Sequence, residues 1–594
     1  METWTPTPEF WEANEKECQD RLNSAWNQIP VLNYMPENLI SNKELVRFRG
    51  MIQDMFSPIY FMKQYEVVNV NTKESSIRSG KFQDSLLCQK DEEVVFDSVK
   101  QINGERRPMY SVSIPCLNTW ADEECKEVFS KLNDRLKKTE TETQSSSSTS
   151  SKRSAEEVDM DVDSSNTSVS NTSVVDPKRQ CGSTAAAPSS QSGSTTSKVE
   201  TDLNLPIKDS IGKACILHFY DGMDENIKLN SVVEVVGFLI IDPLQTPTDD
   251  SDDFEMEEGI SRLPASLVPR IHVVSLKHLK DYDIVPSIPI SFAEKILPDV
   301  KRIRNELKFV LTQLMLGDSL AAEYLIFNLI SNVFLRQDCT VLGDFSLNIT
   351  NLPLKNCPRY PSLVYEILSC ILLKSHFFQM SISSMNRTKM IPMKDYQSNR
   401  LMSGMLQLPP GTHLILDETK FEAGILQDQG VRNAKALNNI IKNQKMDYNF
   451  QFYNLDIDTD VPVLIFSEAK SMLVCKYHIK LDPDPSSAAI VEEMMVSLKN
   501  YLKQFINELR AYIVSIKSVA YQLSAEMSKQ IESDFVRMRQ DKGTKVSPDD
   551  LHSFLVVGRL FAISNGLTSL DQESWSEVLR MEDQRKARLI SAAR

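Results

Sequence analysis

Residues 139–200 form a run of 62 that holds 27 Ser or Thr and no Phe, Tyr or Trp. Such a run cannot bury enough apolar surface to offset its ordering entropy, so it is expected to be a disordered linker. The strand signals on its two sides must therefore form two incomplete sheets or join across it. Joining costs little, because loop-closure entropy grows slowly with length. Before the linker, Val46, Phe48 and Gly50 alternate with Arg47 and Arg49, and further strands are expected near Tyr65–Val70 and Tyr110–Ile114. After it, Ala214–Tyr220, Val232–Ile241 and Arg270–Ser275 read as strands, with an acidic loop at Asp249–Glu258. One small β-barrel with the linker as an insertion is the simplest arrangement.

The rest of the chain changes period. Phe10, Trp11, Cys18, Leu22 and Trp26 recur at helical spacing near the start. Ile303 to Met315 and Leu320 to Val333 carry two amphipathic helix patterns. Leu414–Leu416 and Val463–Phe466 are short apolar runs of the kind found in buried parallel strands. Beyond residue 487 the pattern is helical. The fold class is thus multi-domain, α+β followed by α/β. Its expected layout is a helical segment at 1–44, a barrel split into 45–138 and 201–290, the linker at 139–200, an α/β domain at 291–486 and a helical domain at 487–594.

Composition narrows the chemistry. The formal net charge is -15, which disfavours a protein whose main task is to coat DNA, since that affinity comes from Lys and Arg neutralising phosphates. The ten cysteines include no CxxC pair, so a zinc site or disulfide scaffold is not expected. They read as free, mostly buried thiols of a reducing compartment. The start lacks the basic and apolar regions of a signal peptide, and no run of 18 apolar residues suggests a membrane span, so a soluble intracellular chain is expected. Only 18 residues are Gly, with no GxxxxGK[ST] or GxGxxG, and the seven His form no HExxH. Gly212-Lys213 is followed by Ala214 and reads as coincidence. His218 and His272 read as core or edge residues of strands.

Asp417-Glu418 follows the apolar run Leu414–Leu416. That is the form of a Walker B element, in which one acid holds Mg²⁺ and the next helps place water. The bland alternative is a strand end with a solvated turn. Gly317-Asp318-Ser319-Leu320-Ala321-Ala322-Glu323 stands about 100 residues earlier, Ser467-Glu468 ends the next apolar run, and Asp534–Arg539 with Val546–Leu551 opens the last helical unit. In that order these segments look like the P-loop region, Walker B, sensor strand and lid of the mini-chromosome maintenance helicase subunits.

More closely, the chain resembles the mini-chromosome maintenance complex-binding family, from about residue 40 to 590 apart from the linker. Val46–Phe56, Pro264–Val273, Gly317–Ile326, Lys394-Asp395-Tyr396 and Asn399–Pro409 carry the likeness. The resemblance implies a barrel of the oligonucleotide-binding type and a degenerate AAA+-like domain with a C-terminal helical lid. It implies a nuclear, non-enzymatic partner of helicase subunits that acts in their chaperoning or assembly, in unloading from chromatin and in sister-chromatid cohesion. No cofactor is expected. Chromatin association would be indirect, and direct nucleic-acid binding is disfavoured. Where a P-loop has Lys then Ser or Thr, the sequence has Ala322-Glu323, and a glutamate repels phosphates. Asp417-Glu418 then reads as a remnant.

Three other groups carry candidate chemistry. Lys152-Arg153 and Lys178-Arg179 read either as a bipartite nuclear import signal or as charge in a solvated tail. Ser154 and Ser251 precede acidic residues and are candidate phosphorylation sites. Arg47, Arg49, Arg106 and Arg107 read as solvated strand faces rather than a nucleic-acid groove, which would pair them with stacking aromatics. The competing functions are a weak ATPase using Asp417 and Glu418 and a single-strand DNA-binding module.

Overall fold

The computed structural model describes residues 4–147, 203–241, 268–288, 297–542 and 547–591, apart from short stretches at 5, 37–40, 90, 97, 208–211, 338–339 and 399. The first two helices are α1 (Pro8–Ala13) and α2 (Glu15–Ala25). The Thr7 hydroxyl caps α1 by accepting from Phe10 N at 3.2 Å. Trp11, Cys18, Leu22 and Trp26 pack with Leu45, Phe82, Tyr220 and Phe238, whereas Phe10, expected on the same stripe, is 48% exposed.

Eight strands follow: β1 (Leu45–Met55), β2 (Ile59–Asn69), β3 (Ser75–Ser79), β4 (Glu92–Val95), β5 (Ile102–Ser113), β6 (Ala214–Tyr220), β7 (Val232–Ile240) and β8 (Arg270–His278). Pairing runs β1-β7-β8-β6-β5, and β5 pairs back onto β1, so five strands close a ring. All these pairs are antiparallel except β6 with β8. The ring joins strands from both sides of residues 139–200. β2 extends from β5 and carries β3 and β4 as an arm. Phe48, Leu217, Phe219, Val235, Leu239 and Ile271 fill the ring. Every residue of β7 is buried, because α1 and α2 cover Val236 and Phe238 on its outer face.

Helix α3 (Thr119–Ser147) corrects the expected layout, which placed 119–138 in the β domain and began the linker at 139. Ala121, Cys125, Phe129 and Leu132 recur every three or four residues, a helical stripe the strand reading overlooked. The remainder of the linker, from 148, lies outside the described residues, as does Asp249–Glu258.

The second half is α/β. In chain order it holds α4 (Asp281–Ile284), α5 (Val300–Leu314), α6 (Ser319–Ile330), β9 (Leu335–Gln337), β10 (Thr340–Leu342), β11 (Leu347–Thr350), α7 (Tyr360–Ile371), β12 (Ser375–Gln379), α8 (Ile382–Arg387), β13 (Met393–Asp395), β14 (Arg400–Met402) and β15 (His413–Asp417). Then come α9 (Asp428–Asn443), β16 (Lys445–Asn449), β17 (Asn454–Asp458), β18 (Val463–Phe466), β19 (Tyr477–Lys480) and six segments of helical chain ending the molecule. Those are α10 (Pro485–Ala489), α11 (Val491–Leu502), α12 (Ile506–Ile516), α13 (Ala525–Lys542), α14 (Pro548–Ser564) and α15 (Gln572–Ser591).

A wholly parallel sheet runs β12-β15-β18-β11-β19. Its central strands β15 and β18 carry the apolar runs Leu414–Leu416 and Val463–Phe466 because both faces are covered there. Ile415 and Leu464 face the layer of α5, α6, α7, α12, α14 and α15, while Leu414, Leu416, Val463 and Ile465 face α8, α9 and the hairpins. A separate sheet, β14-β13-β16-β17, is built from two hairpins. Barrel and α/β half are tied by buried hydrogen bonds: Leu401 N donates to Asp54 Oδ2 at 3.1 Å, Asn204 Nδ2 to Leu401 O at 2.7 Å and Tyr448 Oη to Asn230 Oδ1 at 3.1 Å. Among the described residues, no single helix is long and apolar enough to cross a membrane.

Candidate functional site

In open parallel sheets, ligands sit at the carboxyl ends of the strands, so the candidate site is the edge formed by the ends of β11, β15 and β18. β15 delivers Asp417, 2% exposed, as its last residue, with Glu418 just beyond. Asp417 Oδ1 accepts from Thr419 N at 3.0 Å and from Thr419 Oγ1 at 2.6 Å, and Oδ2 accepts from Gln379 Nε2 at 3.4 Å. Glu418 turns away toward the 471–472 loop, where Oε1 accepts from Met472 N at 2.9 Å. Burial pushes the Glu418 carboxyl up, against the pull of Ser471 and the Met472 N–H. Asp417 is engaged through both oxygens and Glu418 through Oε1, while Glu418 Oε2 is buried without a hydrogen-bond partner among the described residues. Ser467, at the end of β18, donates to Asn348 Oδ1 of β11 at 3.0 Å.

The expected P-loop position is corrected. A phosphate cradle is a strand-to-helix loop, but Gly317 and Asp318 lie between two helices, α5 and α6. Asp318 caps α6 by accepting from Leu320 N and Ala321 N, and it pairs with Arg588 at 2.6 Å. Glu323 meets no nucleotide position. It is buried in α6 between Arg304 at 2.6 Å and Lys308 at 2.6 Å.

The loop that does leave the first parallel strand for a helix is 351–359, between β11 and α7. It reads Asn-Leu-Pro-Leu-Lys-Asn-Cys-Pro-Arg and contains no glycine. Pro353 and Pro358 have no N–H to offer. Leu354 N donates to Leu352 O, Asn356 N and Cys357 N to Pro353 O, and Tyr360 N to Cys357 O, all at 2.8–3.1 Å. Lys420, from the turn after β15, donates to Pro358 O at 3.1 Å. A phosphate needs converging N–H groups; here several are used in the loop's own turns. The residues present do not fit a nucleotide and its Mg²⁺. The strand was missed from sequence because Ser346 and Asn348 interrupt its apolar run. Lys420 carried no signal at all.

The four arginines also read differently in three dimensions. Arg47, Arg49 and Arg106 are buried, not solvated. Arg47 and Arg49 lie 3.2 and 3.8 Å from Glu234, and Arg49 also donates to Ile284 O at 2.8 Å. Arg107 pairs with Asp224 at 2.7 Å. An alternation of Arg with apolar residues looks solvated only when nothing covers the outer face, and α3 brings Phe129 over both Arg47 and Arg49. His218 and His272 are core residues, stacked at 5.0 Å beside Asp84. Burial holds both imidazoles low, and the histidines and Arg270 outweigh burial to hold Asp84 below the usual carboxylate range. Lys213 fixes the N-terminal segment by donating to Leu32 O at 2.9 Å and Met35 O at 2.6 Å. Cys18, Cys125, Cys215, Cys357 and Cys475 are buried free thiols, Cys116 and Cys370 are half-buried and Cys88 is exposed. Lys152, Arg153, Ser154, Lys178, Arg179 and Ser251 all lie outside the described residues.

Comparison with known proteins places the chain in a family. Residues 18–589 match the family described as the mini-chromosome maintenance replisome factor. The match begins within α2, so the likeness starts earlier than residue 40. Proteins named mini-chromosome maintenance complex-binding protein from Gallus gallus and Homo sapiens are each 34% identical over 593 and 602 residues, covering 96% of this chain and 92% of theirs. The Drosophila melanogaster protein of that name is 34% identical over 582 residues, covering 96% and 93%. The chain belongs to the mini-chromosome maintenance complex-binding protein family.

Proposed function

We propose that this chain is a non-catalytic binding partner of the mini-chromosome maintenance complex. One observation carries the reading. Numbered along the chain, the parallel sheet has the order 2-3-4-1-5, the order of AAA+ cores such as those of the helicase subunits, yet the loop after its first strand cannot cradle phosphate. A frame of that kind can pack beside helicase subunits as they pack beside each other, without turning over ATP. The barrel's order, 1-2-3-5-4-1 with the third and fifth strands parallel, supports an oligonucleotide-binding type of fold. The net charge of the whole chain, -15, supports protein rather than DNA as the ligand. Contact with chromatin is then indirect, through the complex.

The setting we propose is the nucleus during DNA replication. There the chain would chaperone or assemble helicase subunits and unload them from chromatin, with a consequence for sister-chromatid cohesion. Import would use Lys152-Arg153 and Lys178-Arg179, and Ser154 and Ser251 would be phosphorylated. Affinity purification of tagged full-length chain from dividing cells should recover helicase subunits in excess over an unrelated acidic control. Recovery of none of them overturns the proposal. Calorimetry with Mg-ATP should give no binding heat, and saturable heat that Asp417→Asn abolishes would restore the ATPase reading.

A further inference from the structure

The sheet β14-β13-β16-β17 ends in a rigid aromatic tip. The turn after β13 carries Tyr396, and the turn between β16 and β17 carries Phe450, Phe452 and Tyr453. Phe452 is 84% exposed, Tyr453 58% and Tyr396 46%. The rings are ordered against each other: Phe450 stacks on Tyr453 at 5.0 Å, and Tyr396 meets Phe452 at 5.5 Å. Cross-ties hold the two turns together, since Tyr396 Oη donates to Phe450 O at 2.9 Å and Gln451 Nε2 to Lys394 O at 3.1 Å. Gln451 sits between the exposed rings at φ +62°, a conformation that side-chain-bearing residues seldom adopt.

Behind the tip, Asp447 and Asp456 face each other directly across β16 and β17. Opposed like charges weaken a strand pair. Burial and the facing Asp456 push the Asp447 carboxyl up, while Asn439 and Lys435 oppose that rise. Further along, Lys445 stands opposite Asp458, which pairs with Arg336 at 3.4 Å. Stability alone favours neither the exposed rings nor the opposed acids. Together they suit a cation-bearing chain: ring faces attract Arg and Lys, and Asp456 lies three residues, about 10 Å along the strand, from Tyr453.

We infer that this hairpin tip is the surface that docks an Arg- or Lys-bearing segment of the mini-chromosome maintenance complex, an inference that rests on the binding role proposed above. The experiment compares retention of purified complex on immobilised full-length chain. The chain with Tyr396→Ala, Phe452→Ala and Tyr453→Ala should retain it roughly tenfold more weakly, with an unchanged unfolding midpoint. Asp447→Asn with Asp456→Asn should also weaken retention, by roughly threefold, while raising the unfolding midpoint, an opposition that a merely structural pair would not produce. If the unaltered chain retains the complex and the aromatic variant does so equally, the tip is not the docking surface. If the unaltered chain retains none, the binding role itself fails and the inference falls with it. Tip-dependent binding of a single-stranded oligonucleotide in place of the complex also overturns it.

Discussion

Glu323 shows how one side chain changes meaning once its neighbours are known. In sequence it is the wrong residue at a P-loop; in the structure it holds Arg304 and Lys308 inside the helical layer. Removing one partner of a buried pair leaves the other charge unpaired. Glu323→Gln should therefore destabilise the chain by about 3 kcal/mol, read as a lower urea midpoint; an unchanged midpoint would mean the pair is dispensable. His413, at the start of β15, is held down to about 3 by burial, with Lys517 adding to the effect. The unfolded imidazole takes a proton below about 6.5 and the folded one does not, so stability falls as the pH drops through that value. The loss reaches roughly 2 kcal/mol by pH 5. Asp460, pushed up to about 6 by burial, takes its proton first in the folded state and works in the opposite sense. The informative quantity is thus the difference between the unaltered chain and His413→Gln. Its stability should fall less between pH 7 and 5, and parallel curves would exclude His413 as the source.

At the scale of elements, Gly237 shows how tightly the barrel closes. It lies where the β7–β8 register shifts, and an added Cβ would collide with the His272 carbonyl and come within 2.6 Å of Ile271 Cγ2. Gly237→Ala should cost about 1–3 kcal/mol in urea unfolding, whereas an unchanged midpoint would mean that the strands can part there. Elements whose burial pattern is uniform were legible from sequence: Ala214–Tyr220 and Val463–Phe466 have the expected bounds. Elements with mixed surroundings were not. β11 carries Asn348 because its side chain accepts from Ser467, and that polar residue hid the strand whose loop decides the nucleotide question. Arg47 and Arg49 likewise need α3 and Glu234 in view before they read as buried. The acids at the end of β15 were legible as a pair, but their engagement by Gln379 at the end of the neighbouring strand and by Met472 of a distant loop is not written in the local sequence.

For the whole molecule, the ring of strands is the element that makes residues 1–147 and 203–594 interdependent. β1 and β5 lie before the Ser/Thr-rich run and β6, β7 and β8 after it, so each piece alone exposes unpaired strand edges. Expressed separately, the two pieces should be insoluble, and co-expression should restore a soluble pair. Independent solubility of both would contradict a ring closed across the insertion. As proposed, the chain associates with the complex through a helicase-like frame without a phosphate cradle and needs no nucleotide to do so. Sedimentation velocity of the purified full-length chain mixed with purified mini-chromosome maintenance complex, after apyrase treatment, tests this most directly. The chain should move with the complex or with subunits it releases. Separate boundaries without nucleotide, with association only when ATP is added, would contradict it.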